Sequence, residues 1–339
     1  MVAFRACPQS PVKLTSILLW TILSASATAS AAALPACPPG HVDALDQSPH
    51  GERRVRVNGV CVSVLDWGGS GQLMIFLPGY GNTAHVFDDL APAFIDHFHA
   101  IGLTPRGFPP SDAPEGGYTI VQLAADVRAL MDSSNAQKAI LVGHSISGAV
   151  ITEFGQRYPD HLSAAIYLDA AFDFGAAYRR AHLPARPLPD DTTSVVYRAW
   201  RAQYGETTWS HRVINASDAD DRSWQIDTAE IVRRNRLVSA LASEVRARPH
   251  EPWHVRAPIL AIYANANMGR VFGWLTPDSA RWPAAAAYYE QAAKESRDAR
   301  ARLATLARSA RVLELESSHF VFFDRRQTVV EAMRSFLRI

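Results

Sequence analysis

One serine stands where an apolar strand would turn sharply into a helix. Residues 139–142 are apolar, and Gly143-His-Ser145-Ile-Ser-Gly148 follows them at the head of an amphipathic segment. Such a turn forces its central serine into a strained backbone conformation, exposes the hydroxyl and tolerates only small neighbours. Ser145 is therefore a candidate nucleophile, with Gly143 and Gly148 as the small neighbours.

The hydroxyl of Ser145 would lie at the start of the helix that follows. There the backbone N–H of Ile146 and the helix dipole can stabilise an oxyanion. The usual form of the turn is Gly-x-Ser-x-Gly, and here Ser147 occupies the fifth position. The motif alone also fits an ordinary strand-to-helix turn with a capping serine, because serine caps helices well.

A serine hydroxyl needs a neighbouring base to take its proton, and histidine suits this role because its pKa lies near neutral pH. His319 follows the strand-like segment 311–315 and precedes a predicted helix at 328–337. The carboxyl ends of parallel strands meet at one edge of a sheet. We therefore expect His319 at the same edge as Ser145.

A sheet is needed to bring these residues together. Two alternating segments joined by Asn58-Gly59 are typical of a β-hairpin, and apolar segments then alternate with helical patterns. This order predicts an α/β fold, a mostly parallel, twisted, eight-stranded sheet with helices on both faces. Strands are predicted at 53–57, 60–65, 73–77, 97–101, before Ser145, and at 164–168, 259–263 and 311–315. Helices are predicted at 86–94, 120–131, after Ser145, and at 282–308 and 328–337.

The alternation stops between residues 175 and 253, where the sequence is helix-rich and irregular. Proline clusters and four tryptophans, Trp200, Trp209, Trp224 and Trp253, lie in this stretch. We predict that 175–253 is a helical cap inserted into a core formed by 34–174 and 254–339. The tryptophans fit either the lining of an apolar pocket or the core of the cap itself.

The first 33 residues have the layout of a secretory signal peptide. Basic residues precede an apolar run at 14–23, and small residues that offer cleavage sites follow it. The run is too short to favour a transmembrane helix. We therefore expect an exported protein, periplasmic or secreted, with no stable membrane insertion after the leader is removed.

Loss of the leader leaves two cysteines, Cys37 and Cys61. In an exported protein such a pair predicts a disulfide between the N-terminal tail and the first strands. Two unpaired thiols are the alternative, and Leu34-Pro-Ala-Cys37 also resembles a lipoprotein cleavage box. The formal net charge of +1, with no basic stripe among aromatic residues, argues against a nucleic-acid partner.

Four stretches in this order resemble the α/β-hydrolase superfamily, in particular its capped serine esterases. They are Leu77-Pro-Gly-Tyr80-Gly81, Arg106-Gly-Phe, Gly143-His-Ser145-Ile and Ser318-His319-Phe. The resemblance implies that Ser145 is the nucleophile and His319 the base. It also implies an oxyanion hole formed by the backbone N–H groups of Tyr80 and Ile146.

The acid departs from the family pattern. Members usually carry an aspartate after the penultimate strand, but residues 264–268 contain no carboxylate. Some members take the acid from the end of the preceding strand, where Asp169 stands, and the order Ser145, Asp169, His319 fits the superfamily. Asp169 is the predicted acid, with Asp173 and Asn267 as alternatives.

These residues together predict a serine hydrolase that cleaves a small to medium, largely apolar carboxylic ester through an acyl-enzyme, with no cofactor and no metal. A nucleophilic aspartate would imply a dehalogenase or epoxide hydrolase, and Ser145 argues against both. Amidase, peptidase or acyltransferase activity on the same fold remains open, because fold does not decide among them. A non-catalytic protein that binds a ligand under the cap is the alternative from another class.

Two further features have simpler interpretations. His97 and His99 have a metal-ligand spacing, but we expect a packed pair because no acidic or thiol partner accompanies them. Arg106 fits either a substrate carboxylate or, more commonly, a brace for its own loop.

Overall fold

The computed structural model describes residues 36–38, 49–175 and 228–339. The predicted signal peptide, residues 1–33, lies outside the described residues. So do residues 176–227 of the predicted cap, including Trp200, Trp209 and Trp224. The division of the chain into leader, core and cap stays a prediction.

Eight strands form one sheet in the described part of the chain, in the spatial order β1-β2-β4-β3-β5-β6-β7-β8. β2 runs antiparallel to β1 and β4, and all other neighbours are parallel. The predicted eight-stranded, mostly parallel sheet is confirmed. The strands are β1 Gly51–Val57, β2 Val60–Gly68, β3 Gln72–Leu77, β4 Phe98–Thr104, β5 Ala139–His144, β6 Leu162–Leu168, β7 Ile259–Ala264 and β8 Ala310–Leu315.

Helices pack on both faces of this sheet. They are α1 Ile120–Ser133, α2 Ser147–Arg157, α3 Thr228–Ala247, α4 Met268–Phe272, α5 Trp282–Leu306, α6 Val321–Asp324 and α7 Arg326–Leu337. One apolar core lies against α1, α2 and α3, and a second lies against α6 and α7. None of the described helices is both long enough and apolar enough to cross a membrane.

The hairpin between β1 and β2 follows from its two turn residues. Asn58 has φ +46° and Gly59 has φ +85°. Both values are positive, as the tight two-residue turn that matches strand twist requires. Val57 and Val60 are paired at its base. The predicted antiparallel opening of the domain is confirmed.

The central strands are apolar throughout because both of their faces are buried. In β3, Leu73, Ile75 and Leu77 join the first core, while Met74 and Phe76 join the second. Successive side chains of a strand point to opposite faces, so an uninterrupted apolar run fills two cores at once. This packing fixes the strand ends that carry the site.

The single helix predicted at 86–94 is wrong. Two 3-10 turns, Ala84–Phe87 and Ala91–Phe94, take its place. Hydrogen bonds between residues three positions apart, which are typical of a 3-10 helix, join Asp88 N–H to His85 O and Leu90 N–H to Phe87 O, at 3.1 and 2.9 Å. Proline lacks the N–H that an α-helix would use, and Pro92 stands inside the second turn.

The expectation that no carboxylate accompanies His97 and His99 is also wrong. Asp66 on the neighbouring strand β2 lies 3.0 Å from His99 Nε2, and Asp96 lies 3.5 Å from His97 Nε2. His97 lies just before β4 and His99 lies within it. Each imidazole contacts a different carboxylate, so the two histidines do not form one packed pair or one metal site. The sequence did not reveal Asp66 as a partner of His99 because the two residues are 33 positions apart and meet only when β2 pairs with β4.

Cys37 and Cys61 form a disulfide, with a Cα–Cα distance of 5.7 Å and a sequence separation of 24. Closing a loop of this length stabilises a protein by about 3–4 kcal/mol in the chain-entropy model. We predict that Cys37→Ser lowers the free energy of unfolding by up to that amount, as measured by urea denaturation. Wild-type protein under dithiothreitol is the control, and it should match the variant. Equal stability of the oxidised wild type and the variant would contradict the prediction.

Candidate active site

Ser145 lies between β5 and α2 with a φ of +55°, a left-handed backbone conformation that non-glycine residues seldom adopt. Its N–H donates to Leu168 O at 3.4 Å, and its C=O accepts from Gly148 N–H at 2.9 Å. The side chain is half-buried, at the positive end of α2. The chain therefore makes a strained strand-to-helix turn with the serine hydroxyl at its apex.

Both glycines of this turn lie in close packing. A Cβ on Gly148 would lie 1.9 Å from Ala170 O, and one on Gly143 would lie 2.7 Å from Ile151 Cδ1. Neither contact is possible without moving the backbone or the packed side chain. Gly148 is therefore required for the turn to lie against the segment that follows β6, whereas a side chain at position 143 would displace the end of the Ile151 side chain.

Ser147, which replaces the usual second glycine, has a specific partner. Its hydroxyl donates to Pro78 O at 2.5 Å, and the side chain is buried. Pro78 opens the loop that leaves β3, so this bond joins the start of α2 to that loop. Ser147 therefore links the serine turn to the loop that follows β3. The sequence did not reveal this hydrogen bond.

The loop formed by residues 78–81 packs closely against the serine turn. A Cβ on Gly79 would lie 2.8 Å from His144 Nδ1 and 3.0 Å from Ser145 Cβ. Asn82 N–H donates to Gly79 O at 3.1 Å and closes the loop. Tyr80, the residue after this contact, is exposed over part of its ring and packs edge-on against Phe108. Burial of the phenol raises the pKa of Tyr80, and nearby Arg246 opposes the shift.

Asp169 lies next to Ser145, at the end of the adjacent strand. The register pairs His144 with Leu168, so Ser145 and Asp169 leave neighbouring strand ends. Asp169 also has a left-handed backbone, with φ +48°, and its N–H donates to Ile262 O at 2.7 Å. Its Oδ1 accepts from Ala264 N–H at 3.0 Å. The carboxylate is buried and fixed between β6 and β7.

His319 contacts the other carboxylate oxygen of Asp169. Its Nδ1 lies 2.6 Å from Asp169 Oδ2, and about half of the histidine side chain is exposed. Nδ1–H therefore donates to the carboxylate, because an ionised carboxylate only accepts. Nε2 is then the ring nitrogen that faces away from the carboxylate and can accept a proton. No hydrogen bond joins Ser145 Oγ to His319 within the described residues; such bonds are often long in substrate-free sites.

His144 holds the loop that carries His319. Its Nε2 lies 3.1 Å from the backbone oxygen of His319, and the two rings stand 4.4 Å apart. Burial, followed by the charge of His319 when protonated, holds the pKa of His144 well below its usual range. His144 is therefore neutral, with Nε2–H as the donor. The position of His144 before the serine in the motif did not predict its contact with His319.

The alternative acids have other partners. Asp173 Oδ1 accepts from His250 N–H at 3.0 Å and joins the end of β6 to the segment after α3. Asn267 caps α4, where its Oδ1 accepts from Arg270 N–H at 2.9 Å. Of the three candidates, Asp169 is the one that the structure places against His319.

A family model described as alpha/beta hydrolase fold matches residues 72–325, well over half of the chain. The chain belongs to the α/β-hydrolase family. The predicted superfamily is thereby confirmed.

Curated relatives of this α/β-hydrolase have several hydrolase names. A 2-(acetamidomethylene)succinate hydrolase from Mesorhizobium japonicum is 33% identical over 117 residues, 34% of this chain and 42% of that protein. Epoxide hydrolase A from Mycobacterium tuberculosis is 27% identical over 187 residues, 54% and 53% of the two chains. The chain thus spans about half, or less, of the length of the curated relatives that it matches.

Solved structures show the same fold. E-2-(acetamidomethylene)succinate hydrolase is similar with a TM-score of 0.54 and 21% identity, over 86% of this chain and 100% of that chain. An epoxide hydrolase from Bacillus megaterium is similar with a TM-score of 0.56 and 19% identity, over 85% and 100%. At this identity the likeness concerns the fold alone.

An apolar recess opens beside the serine turn of this α/β-hydrolase. Tyr80 and Ile146 both line it, together with Leu77, Phe108, Val150 and Leu241. Leu241 belongs to α3, so part of the predicted cap covers the recess. Ser145 and His319 are not among the lining residues, and the recess therefore extends from the expected oxyanion donors into the core.

Asp126 is the carboxylate that lines this recess, and Arg106 is its partner. The Arg106 Nε and Nη2 atoms donate to the two carboxylate oxygens at 2.6 and 2.7 Å, and both side chains are buried. Asn58 and Gln122 donate to the same carboxylate. A buried pair satisfied in this way is a brace between the loop after β4 and α1, and it leaves the recess without net charge.

Proposed function

We propose that this α/β-hydrolase is a serine hydrolase that cleaves a carboxylic ester through an acyl-enzyme. The observation that carries the proposal is the 2.6 Å contact between Asp169 Oδ2 and His319 Nδ1. It lies beside a serine whose φ of +55° presents the hydroxyl at a helix N-terminus. Nucleophile, base and orienting acid then come from three separate segments that meet at one edge of the sheet.

The proposed reaction has two halves. Ser145 Oγ attacks the ester carbonyl while His319 Nε2 takes its proton, and Asp169 stabilises the imidazolium and keeps its orientation. The N–H groups of Tyr80 and Ile146 donate to the oxyanion. Collapse releases the alcohol, which receives the proton from His319. Water, activated by the same histidine, then attacks the acyl-enzyme and releases the acid and free Ser145.

The lining of the recess supports an apolar acyl group as the substrate part held in the site. Aliphatic and aromatic side chains such as Leu77, Phe108 and Val150 line it, as is usual for pockets that hold apolar groups. The Arg106–Asp126 pair is internally satisfied. A charged acyl group would lose its hydration there without gaining a partner, so neutral esters are favoured.

Labelling with a fluorophosphonate tests the serine chemistry. We expect one covalent label per chain, on Ser145, in the wild type and none in Ser145→Ala, as measured by intact mass and peptide mapping. A folded wild type that stays unlabelled would overturn the proposal and favour a ligand-binding protein. Label on another serine would equally exclude the assignment.

Substrate panels separate ester cleavage from the other acyl chemistries. We compare p-nitrophenyl esters of rising acyl length with aminoacyl anilides, and we add an alcohol acceptor in a third arm. Ester cleavage with an optimum at short to medium chains is expected. Faster anilide cleavage would favour an amidase or peptidase, and acyl transfer to the alcohol in preference to water would favour an acyltransferase.

Ser147→Ala tests the link between the serine turn and the Pro78 loop. Loss of one hydrogen bond of about 1 kcal/mol loosens the loop that carries Tyr80, so we expect kcat to fall roughly fivefold with KM little changed. The matched control is Thr152→Val, which removes another buried hydroxyl of α2 that bonds Gly148 O rather than the loop. Equal kcat values for the two variants would contradict this role of Ser147.

We also propose that the protein is exported and that its partner is a small ester rather than nucleic acid or membrane. The disulfide Cys37–Cys61 supports an oxidising compartment. N-terminal sequencing of the protein recovered from cell fractions checks this. Cleavage near residue 33 with recovery outside the cytoplasm is expected, and a lipid on Cys37 or an intact N-terminus would contradict it.

A further inference from the structure

Two histidines and an aspartate converge at a second place in the fold, outside the residues proposed for catalysis. His85 Nδ1 lies 3.0 Å from Asp88 Oδ2, and His50 Nδ1 lies 3.8 Å from Asp88 Oδ1. One donor atom from each residue lies within 4.8 Å of the others. His50 directly precedes β1, whereas His85 and Asp88 follow β3, so the fold brings the cluster together over a long sequence separation.

We propose that His50, His85 and Asp88 bind a zinc ion. Two imidazole nitrogens and one carboxylate oxygen form a donor set that suits zinc. Zinc bonds of about 2.0–2.1 Å in a tetrahedron place neighbouring ligand atoms roughly 3.4 Å apart. The 3.0 Å contact of His85 is to Asp88 Oδ2 and the 3.8 Å contact of His50 is to Asp88 Oδ1, while one donor atom from each residue lies within 4.8 Å of the others, so the ligands must move closer by only a small amount to bind the ion. Water completes the fourth position.

The surroundings of Asp88 resemble the outer shell of a metal site. The Trp67 indole N–H donates to Asp88 Oδ1 at 3.0 Å and fixes the orientation of the carboxylate. Asp88 is 3% exposed and His85 is 8% exposed. Hydrogen bonds of this kind orient ligands and are a regular part of metal sites. A buried carboxylate between two imidazoles is also the local charge pattern that a divalent cation stabilises.

Two other histidine–carboxylate pairs offer fewer donors. His99 with Asp66, and His97 with Asp96, each bring one imidazole to one carboxylate. Across residues 49–175 and 228–339, the three-residue cluster is the group whose donors converge. The ion would join the segment before β1 to the segment that leaves the residue 78–81 loop. Its role is therefore to stabilise the fold near that loop.

Zinc titration of the untagged full-length chain, stripped with EDTA and dialysed, tests the site. We expect one zinc per chain by calorimetry and by metal analysis after gel filtration, together with a rise in Tm. His50→Ala should weaken binding by about a hundredfold or more, while the control His99→Ala binds as the wild type does. No stoichiometric zinc in the wild type, or wild-type affinity in His50→Ala, would overturn the proposal.

Asp88 is left unchanged in these variants because it also accepts the buried Trp67 N–H. Crystals of the zinc-loaded wild type give a second readout that needs no substitution. Anomalous difference density at the zinc absorption edge should lie between His50, His85 and Asp88. A peak elsewhere, or none, would exclude the site whatever the catalytic assays show.

Discussion

Asp169→Asn should lower kcat by about four orders of magnitude and leave KM nearly unchanged. The amide presents N–H where the carboxylate accepts, so Nδ1 of His319 loses its proton to Nε2 and the ring adopts the wrong tautomer. The Asp169 side chain is not among the residues that line the apolar recess, so ground-state binding should persist. Steady-state kinetics on a p-nitrophenyl ester measure both constants.

The fold should survive this substitution. An asparagine amide oxygen can still accept the Ala264 N–H that Asp169 Oδ1 accepts now at 3.0 Å. Asp173→Asn is the matched control, because it changes a buried aspartate four positions along that accepts from His250 N–H. Turnover of Asp169→Asn within tenfold of the wild type would refute the assignment, as would an equal loss in Asp173→Asn.

Sequence patterns predicted the sheet well because its central strands obey a local rule. A strand buried on both faces must be apolar at every position, and residues 73–77, 164–168 and 259–263 are. The hairpin at Asn58-Gly59 was equally local, since positive φ at both positions is a property of those two residues. The 3-10 turns after β3 were missed because the apolar spacing of a helix is also met by two short turns, the second of which contains Pro92.

The contacts within the candidate site were harder to predict because they join distant segments. Ser147 departs from the sequence motif, and its hydroxyl donates to the backbone oxygen of Pro78 in another loop. The sequence around Ser147 does not predict this partner. His144 meets His319 across 175 positions of sequence. The cluster of His50, His85 and Asp88 likewise depends on the pairing of β1 with the sheet. Residue types alone do not specify such pairings.

Strain marks the place where these segments meet. Ser145 and Asp169 are non-glycine residues with positive φ at the ends of adjacent strands. Each such conformation costs about 1–3 kcal/mol and persists only where surrounding contacts over-determine it. Here the hydrogen bonds of both backbones to neighbouring strands and to α2 supply those contacts. The strain therefore supports a functional role for both residues, independently of the family resemblance.

Gly79→Ala should lower kcat about a hundredfold with a much smaller effect on KM. The added Cβ would lie 2.8 Å from His144 Nδ1, 3.0 Å from Ser145 Cβ and 3.3 Å from Asn82 Nδ2. The residue 78–81 loop must then move away from the serine turn, and the Tyr80 N–H moves with it. Loss of one oxyanion donor costs about 10²–10³ in kcat.

Gly116→Ala is the matched control, because a Cβ there meets nothing within 4 Å. Its kinetics and Tm should equal those of the wild type, and the Tm of Gly79→Ala shows whether the fold survives. A folded Gly79→Ala variant with kcat within threefold of the wild type would exclude Tyr80 N–H as an oxyanion donor. A loss confined to KM would instead mean that the loop positions the substrate, since uniform binding affects KM and transition-state binding affects kcat.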